Sequence, residues 1–372
     1  MAEQYPEAER IMMEDSFHLA RQKSVRKMVE SLGLDGVLFN SLENIRYLSG
    51  FTGSDGAFVL TDREAFFLTD SRYWTQSEEE VKDSKIIRYY KKLDGIVSLL
   101  LDLKSKRLGF ESAFLPFSFH QSLSERLGNE TKLVPLENQI RNLRALKDAQ
   151  ELALTRKAID ISSKAFLKIT EGMKEGILES EAAFDMEVLM KKDGAEALGF
   201  DIIIASGKRS ALPHGKASSK RIEKGDFVLI DFGSRFTGYH CDQTRTLVCG
   251  KPSSEQEKIY RIVKEAHDKA IETVRPGIPI HEVDDAARNH IRDSGYGEYF
   301  GHGTGHGIGL AVHEDPAVNK ENKDLLQEGM VFTVEPGIYI PDWGGVRIED
   351  MVRVTPKGAE ILTWLPTNLK VI

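Results

Sequence analysis

The sequence predicts a two-domain protein of the mixed α/β (α+β) class. Three observations support this prediction: the chain has 372 residues, its residue pattern changes near residue 140, and the part beyond that point contains an internal repeat. A chain of this length exceeds a typical single domain. We therefore expect an amino-terminal α/β domain over residues 1–138 and a second domain over residues 139–372.

The first domain is predicted to combine helices with short strands. Spaced apolar residues over 11–31 indicate an amphipathic helix. The apolar runs GVLFN, AFVLT and AFFLT are typical of strands, and helical patterns follow over 74–82 and 92–103. The stretch YLSGFTGSDGAFVLTD is rich in Gly and Ser. We expect it to form a surface turn, with a contact to substrate or to a partner subunit as the alternative.

The second domain is predicted to consist of two related halves. It opens on a long helical pattern, RNLRALKDAQELALTRKAIDISSKAFLKI. The segment 175–194 then matches the segment 101 residues later, and the segment 224–233 matches the segment 104 residues later. The second match aligns Asp231 with Glu335. Each half is therefore expected to supply a helix layer and a hairpin, with an acidic residue at an equivalent position.

Each predicted hairpin contains a pair of acidic residues. If Asp231 and Asp242 face each other, the chain turns within SRFTG; if Glu335 and Glu349 face each other, it turns at Asp342. Directly opposed residues have Cβ atoms about 4.5–5.5 Å apart, and carboxylates that close repel unless they are protonated or bridged by a cation. A single pair would more often be a solvated or salt-bridged surface couple. Two pairs in matching halves favour a metal site.

Three histidines lie in the glycine-rich run HGTGHGIGLAVH, at His302, His306 and His313. A lone histidine in such a run would by default be solvated on a flexible loop. Four carboxylates and one imidazole, however, are sufficient to hold two divalent cations that lower the pKa of a shared water. This oxygen-rich set suits manganese or cobalt, with zinc or iron as further candidates.

Two other residues are candidates for the site. Arg347 lies two residues before Glu349, on the same strand face, where it could orient that carboxylate or bind a substrate carboxyl. A structural ion pair is the alternative role for Arg347. His214 lies in the polar loop SALPHGKAS and would by default be a surface residue.

Composition and charge exclude several classes of function. The 50 basic and 58 acidic residues give a net charge of −8, which argues against nucleic acid as the main partner. We find no apolar stretch long enough to cross a bilayer and no secretory signal, so we expect a cytoplasmic protein. Cys241 and Cys249 are too few for a disulfide scaffold, and we expect two reduced thiols without a catalytic role.

Beyond these patterns, the chain resembles a known family. The run HGTGHGIGLAVHE is similar to the signature of the metallopeptidases related to aminopeptidase P, prolidase and methionine aminopeptidase. The similarity continues through ASGKRSALPHGKAS, DFG with GYHCDQTRT, TVEPGIYIP and GGVRIED, and into the amino-terminal half through YLSGFTGS and TDSRYW. One departure is HCDQTR, where relatives commonly have a small Ser before the aspartate; no proposed ligand changes.

The resemblance implies a creatinase-like amino-terminal domain, a pita-bread catalytic domain and a two-metal site. By this comparison Asp242 and Glu349 bridge the metals, and Glu335 also accepts the proton of the attacking water. His302 and His313 contact the peptide carbonyl, and Arg347 assists nearby. The implied ligands are Asp231, Asp242, His306, Glu335 and Glu349, and the implied residues around the substrate are His214, His302, His313 and Arg347.

The resemblance also implies the reaction, which is hydrolysis of the bond between an amino-terminal residue and proline. Our first expectation is an Xaa-Pro aminopeptidase acting on peptides with proline second. The alternative is an Xaa-Pro dipeptidase, which must recognise the free carboxylate of proline. A binding protein on the same scaffold, or creatinase-like hydrolysis without metals, is less consistent with five retained ligands. A homodimer is expected, with no nucleic acid and no membrane as partner.

Overall fold

The computed structural model describes residues 16–372, apart from the side chains of Ser16, Asn138 and Arg141. The chain divides into two compact units between Leu143 and Arg144. The boundary expected from the sequence, between residues 138 and 139, lies five residues earlier. Among the helices of the described residues, none is long and apolar enough to cross a membrane.

The amino-terminal unit is built on one mixed sheet of six strands. The strands are β1 (Gly36–Phe39), β2 (Ala57–Thr61), β3 (Ala65–Thr69), β4 (Lys85–Arg88), β5 (Arg107–Glu111) and β6 (Lys132–Leu136). Their spatial order is β4-β3-β2-β1-β5-β6. Strand β1 pairs antiparallel with β2 and parallel with β5, so the unit belongs to the α/β class.

The described part of the amino-terminal unit contains six α-helices. They are α1 (Ser16–Ser31), α2 (Leu42–Ser49), α3 (Trp74–Glu80), α4 (Lys92–Asp102), α5 (Phe117–Leu127) and α6 (Asn138–Arg141). The helices predicted over 74–82 and 92–103 are confirmed as α3 and α4. The helix predicted over 11–31 is confirmed from Ser16 onward, and its first five residues lie outside the described part of the chain.

The glycine-rich stretch between α2 and β2 is a loop tied to its own unit. The carboxylate of Asp55 forms ion pairs with Arg72 at 2.8 Å and Lys92 at 3.0 Å. The Thr52 amide donates to Glu80 at 2.7 Å. These contacts agree with the predicted turn, and they fix its conformation.

The second unit has four long helices and several small sheets. The helices are α7 (Ala149–Gly172), α8 (Glu179–Lys192), α9 (Ser254–Thr273) and α10 (His281–Asp293). Helix α7 begins later than the pattern from residue 141 predicts, because Asp148 caps it: the Asp148 side chain accepts from the Glu151 amide at 2.9 Å, and the Glu151 side chain accepts from the Asp148 amide.

The strands of the second unit form four sheets. They are β7 (Ala197–Leu198), β8 (Ile203–Ser206), β9 (Phe227–Phe232), β10 (Ser234–Phe236), β11 (Tyr239–His240), β12 (Gln243–Val248), β13 (Gly305–Gly307), β14 (Glu314–Val318), β15 (Val331–Val334), β16 (Gly337–Ile340), β17 (Gly344–Arg347), β18 (Asp350–Thr355), β19 (Gly358–Ile361) and β20 (Lys370–Val371). The two larger sheets have the orders β20-β12-β9-β8 and β14-β13-β15-β18-β19.

The internal repeat is confirmed by backbone conformation. Gly176 and Gly277, which the sequence match aligns, have φ values of 90° and 85°. Gly225 and Gly329, also aligned, have φ values of 90° and 91°. Because this left-handed region is costly for other residues, glycine is retained at the turn before each helix and before each hairpin.

The hairpin of the second half has the predicted register. Val334 pairs with Asp350 and Gly337 pairs with Arg347, so Glu335 and Glu349 occupy opposed positions between the two ladders. The turn includes Asp342, as the sequence predicts.

The predicted register of the first hairpin is wrong by two residues. Asp231 pairs with Thr244 rather than with Asp242. The turn is formed by Thr237 and Gly238, whose φ values of 48° and 84° close a two-residue hairpin one position later than we expected. Since side chains alternate with a period of two, a two-residue shift leaves Asp242 on the same face as Asp231, as a diagonal neighbour.

Candidate metal centre

The nine candidate site residues surround a single cavity of the second unit, with a volume of about 410 Å³. Its wall includes the four carboxylates, the four histidines and the arginine predicted from the sequence: Asp231, Asp242, Glu335, Glu349, His214, His302, His306, His313 and Arg347. The structure thus brings together residues that the chain separates by more than one hundred positions.

The four carboxylates lie where strands begin or end. Asp231 is the penultimate residue of β9, and Asp242 directly precedes β12. Glu335 directly follows β15, and Glu349 directly precedes β18. These strand ends belong to both halves of the repeat, so each half contributes two acidic groups to one cavity.

A bridge between Thr244 and Glu349 joins the two halves. The Glu349 amide donates to the Thr244 carbonyl at 3.1 Å, and the Thr244 hydroxyl donates to Glu349 Oε2 at 2.7 Å. The backbone and the side chain of Glu349 are therefore both fixed by β12 of the other half.

His306 is held in the tautomer that can bind a metal. Its Nδ1 lies 3.1 Å from the Gly307 carbonyl, which only accepts, so Nδ1 carries the proton and Nε2 keeps its lone pair. That Nε2 lies 3.6 Å from Asp242 Oδ2 and 3.4 Å from Glu335 Oε1. The hydroxyl of Thr333 accepts from the His306 amide at 3.0 Å and donates to Glu335 at 3.2 Å, which couples these two ligands.

Burial and repulsion between like charges both raise the pKa values of carboxyl groups in this site. Burial first, then the charge of Glu349, raises the pKa of Asp242 well above its usual range. The pKa of Glu349 is raised in the same way, by burial and then by Glu335, and burial raises the pKa of Glu335. Such a cluster favours binding of protons or of cations.

Three buried oxygen atoms of this cluster have no hydrogen-bond partner among the described residues: Asp231 Oδ1, Asp242 Oδ1 and Glu349 Oε1. Buried polar atoms are rarely left unpaired. Ligand atoms of Asp242, His306 and Glu349 all lie within 4.8 Å of one another. The donor set, the orphaned oxygens and the spacing therefore fit divalent cations.

Arg347 binds a different carboxylate from the one that its sequence position suggests. Its guanidinium donates to Asp231 at 2.7 Å, to the Thr244 hydroxyl at 3.0 Å and to the Tyr339 hydroxyl at 2.8 Å. Arg347 thus reaches Glu349 only through Thr244. These contacts tie the buried guanidinium to Asp231, Thr244 and Tyr339, and Arg347 also lines the cavity.

His302 has a partner at each ring nitrogen. Nδ1 lies 2.7 Å from the Gly303 carbonyl and Nε2 lies 3.0 Å from the Tyr339 hydroxyl. Because the carbonyl only accepts, Nδ1 donates and Nε2 accepts from the tyrosine. Burial lowers the pKa of His302, which favours this neutral form.

The remaining histidines stand at the mouth of the cavity. His313 is exposed, and its ring centroid lies 4.3 Å from that of His306. Burial of part of the ring and the neighbouring His306 lower the pKa of His313. His214 is exposed on the loop after residues 207–211. Within residues 16–372 no hydrogen bond engages either ring, so both are available to a substrate.

Two residues of the site were missed in the sequence. Thr244 contacts Glu349 and Arg347, and Tyr339 links Arg347 to His302. Strand alternation could have found them, because Thr244 lies two residues from Asp242 and Tyr339 lies four residues from Glu335. Both types usually signal packing, which is why their position alone did not single them out.

Comparison with known proteins agrees with this geometry. Residues 153–356 match Metallopeptidase family M24, and residues 21–146 match the Creatinase/Prolidase N-terminal domain. A Pyrococcus horikoshii protein named Xaa-Pro dipeptidase is 43% identical over 350 residues, which cover 92% of this chain and 97% of that protein.

Two solved structures are similar over nearly the whole chain. An Xaa-Pro dipeptidase from Bacillus anthracis has a TM-score of 0.91 and 38% identity, covering 95% of this chain and 100% of that chain. An X-Pro aminopeptidase from Thermotoga maritima MSB8 has a TM-score of 0.88 and 38% identity, covering 94% of this chain and 99% of that chain. The expected folds, creatinase-like and then pita-bread, are confirmed. The chain is therefore an enzyme that belongs to metallopeptidase family M24.

Proposed function

We propose that this enzyme is an Xaa-Pro dipeptidase that uses two divalent metal ions. The main support is the 43% identity, over 92% of the chain, to a protein named Xaa-Pro dipeptidase. A similar solved structure, with a TM-score of 0.91, has the same name. These relatives favour the alternative in our sequence analysis over the aminopeptidase that we expected first.

The proposed metal ligands are the four carboxylates and His306. Asp242 and Glu349 are the most buried of the four, and each has an oxygen without a hydrogen-bond partner among the described residues, so both carboxylates would be available to hold the ions. When bound, a pair of divalent ions lowers the pKa of a shared water and polarises the peptide carbonyl. The oxygen-rich donor set favours manganese over softer ions, with cobalt, zinc and iron as alternatives.

The protein's own groups have separate tasks in this proposal. Glu335 accepts the proton of the attacking water, since its carboxylate is close to His306 and has a raised pKa. His313 and His214 stand open to the cavity and donate to the substrate carbonyl as negative charge develops on its oxygen. His302, whose Nδ1 donates to the Gly303 carbonyl and whose Nε2 accepts from the Tyr339 hydroxyl, shapes the wall of the cavity.

A second candidate is the Xaa-Pro aminopeptidase activity of our first expectation. The specific support is the X-Pro aminopeptidase from Thermotoga maritima, which is as identical to this chain, at 38%, as the Bacillus anthracis dipeptidase. The two activities share the chemistry and differ in whether the substrate ends at proline or continues beyond it.

Matched peptides separate the two activities. The protein is stripped with chelator, reloaded with manganese and assayed on an Xaa-Pro dipeptide and on the same sequence extended by one residue. We expect cleavage of the dipeptide with little cleavage of the tripeptide. Preferential cleavage of the tripeptide would establish the aminopeptidase instead, and cleavage of neither peptide would refute both.

The oligomeric state stays a prediction. We expect a homodimer, as the resemblance implies, and light scattering of the purified protein measures it directly. A mass near 41.8 kDa, that of one chain, would contradict the prediction.

A further inference from the structure

A buried ion pair lies behind the strands that present Asp242 and Glu349. Arg245 in β12 donates to Asp350 in β18 at 2.7 Å, and the two side chains are only 2% and 3% exposed. Adjacent residues of a strand point to opposite faces, so Arg245 and Asp350 point away from the face of Thr244 and Glu349. Neither residue belongs to the wall of the cavity.

The guanidinium of Arg245 spans the two halves of the repeat. Its Nη1 donates to the Thr244 carbonyl at 2.9 Å and to the Glu349 carbonyl at 2.6 Å. These two residues form the bridge between the halves. The other nitrogens donate to the Pro366 and Leu365 carbonyls at 3.0 and 2.7 Å. Five hydrogen bonds thus hold Arg245 at the seam from which Glu349 projects.

Asp350 is equally constrained. Its Oδ1 also accepts from the Thr363 hydroxyl at 2.5 Å, and its Oδ2 lies 3.1 Å from His267 Nε2 of α9. A buried ion pair seldom adds stability relative to apolar residues of similar volume. The presence of this pair is therefore better explained by the backbone groups that it holds in place than by a gain in stability.

We infer that Arg245 and Asp350 are positioning residues that fix the backbone of Glu349 against β12, and so preset the spacing of the two central carboxylates, Asp242 and Glu349, for metal binding. The inference rests on the proposed role of Glu349 as a metal ligand. The physical reason is repulsion: without a cation the carboxylates would separate, and hydrogen bonds from Arg245 to both strands oppose that movement.

Manganese titration of the chelator-stripped full chain tests the inference. Arg245→Met removes the hydrogen bonds of the guanidinium, and Val263→Ala, in the core around α9, serves as a control that destabilises the protein without removing a hydrogen bond of the seam. We expect Arg245→Met to weaken manganese binding about 10- to 100-fold, the range for residues that orient ligands. Val263→Ala should leave the affinity unchanged. Equal affinities for the two variants would overturn the inference.

Two further variants separate positioning from folding. Arg245→Lys keeps the charge beside Asp350 but cannot reach all five acceptors, so it should fold and still bind manganese more weakly. In Arg245→Met with Asp350→Asn, no unpaired buried carboxylate remains, so thermal stability should recover relative to Arg245→Met while manganese affinity stays low. Recovery of the affinity together with the stability would show that the pair is merely structural.

Hydrogen exchange in the metal-free protein gives a readout that does not depend on the proposed function. The Glu349 amide is bonded to the Thr244 carbonyl, and we expect it to exchange at least about tenfold faster in Arg245→Met than in Val263→Ala. Unchanged protection of the Glu349 amide from exchange would overturn the inference that Arg245 fixes this backbone against β12. If the reloaded wild-type protein binds no manganese, the two-metal proposal fails, and the exchange experiment still decides whether Arg245 fixes this seam.

Discussion

Asp242 is the residue in which the conflict between burial and charge is strongest. Its carboxylate is buried beside Glu349, Asp231 and Glu335, and one of its oxygens has no hydrogen-bond partner in the described chain. A bound cation would neutralise the buried negative charge of Asp242, whereas replacement by a neutral side chain would remove that charge.

Asp242→Asn should remove metal binding and activity together. We expect manganese affinity to fall by more than about 100-fold, because the change removes a ligand rather than a group that only orients one. The metal-free variant should also melt at a higher temperature than the metal-free wild type, since a buried acidic group whose ionised form is disfavoured by burial and by Glu349 is gone. Metal analysis and calorimetry measure both effects. Asp201→Asn, at the rim of the same cavity, is the control; full activity of Asp242→Asn would contradict the assignment.

His313→Ala should lower turnover and leave the metals in place. The imidazole is exposed and makes no hydrogen bond within the described residues, so its loss should affect mainly the donor to the developing oxyanion. Loss of one such donor typically lowers kcat roughly 100- to 1,000-fold. Kinetics and metal content are measured on the same sample, with His290→Ala on α10 as the control. Loss of manganese from His313→Ala would show that this residue is a ligand.

Among the elements, β13 depends most strongly on a close backbone approach. This strand supplies His306 and pairs with both β14 and β15. A Cβ atom at Gly305 would lie 1.8 Å from the Thr333 carbonyl oxygen, a distance that only a backbone shift could relieve. The glycine next to the histidine therefore permits the strand to lie where His306 reaches the carboxylates.

Gly305→Ala should consequently damage both the fold and the metal site. We expect a loss of about 1–3 kcal/mol in the free energy of unfolding, as for other overpacked sites, together with weaker manganese binding. Gly301→Ala is a matched control in the same segment, because a Cβ there meets no atom within 4 Å. Denaturant unfolding and metal titration of the two variants check the prediction, and equal behaviour would contradict it.

For the whole molecule, the two halves of the repeat meet at a cluster of buried acids. The raised pKa values of Asp242, Glu349 and Glu335 mean that the metal-free folded state holds protons that the unfolded chain releases near pH 4. Where the folded state binds more protons, stability falls as pH rises. In the loaded protein, metal ions take the place of those protons. The stability of the seam between the two halves therefore depends on bound metal at neutral pH.

Metal removal should thus lower the melting temperature more at about pH 8 than at about pH 5. At a free manganese concentration of roughly 100 times Kd, binding contributes about 2.7 kcal/mol of stability. Melting curves of stripped and loaded protein over this pH range test the expectation. A difference that shrinks as pH rises would mean that the carboxylate cluster does not govern stability.

The sequence by itself determined the class of the fold, the repeat, the carboxylates of the second hairpin and the position of Asp242 on the correct face. These features follow from local periodicity, turn chemistry and the match between the halves, all of which act over short stretches of chain. The tertiary structure decided the register of the first hairpin, because the positive φ values of Thr237 and Gly238 move the turn by one position.

Only the tertiary structure decided which groups meet across the seam. It paired Arg347 with Asp231, linked Tyr339 to His302, and set Arg245 behind Glu349. Residues that are neighbours in such networks can lie more than 100 positions apart in the chain: Asp231 and Arg347 are 116 positions apart, and Arg245 and Pro366 are 121 positions apart. No local pattern encodes these contacts, since they arise only where hairpins from the two halves of the repeat pack together and their buried polar groups must find partners.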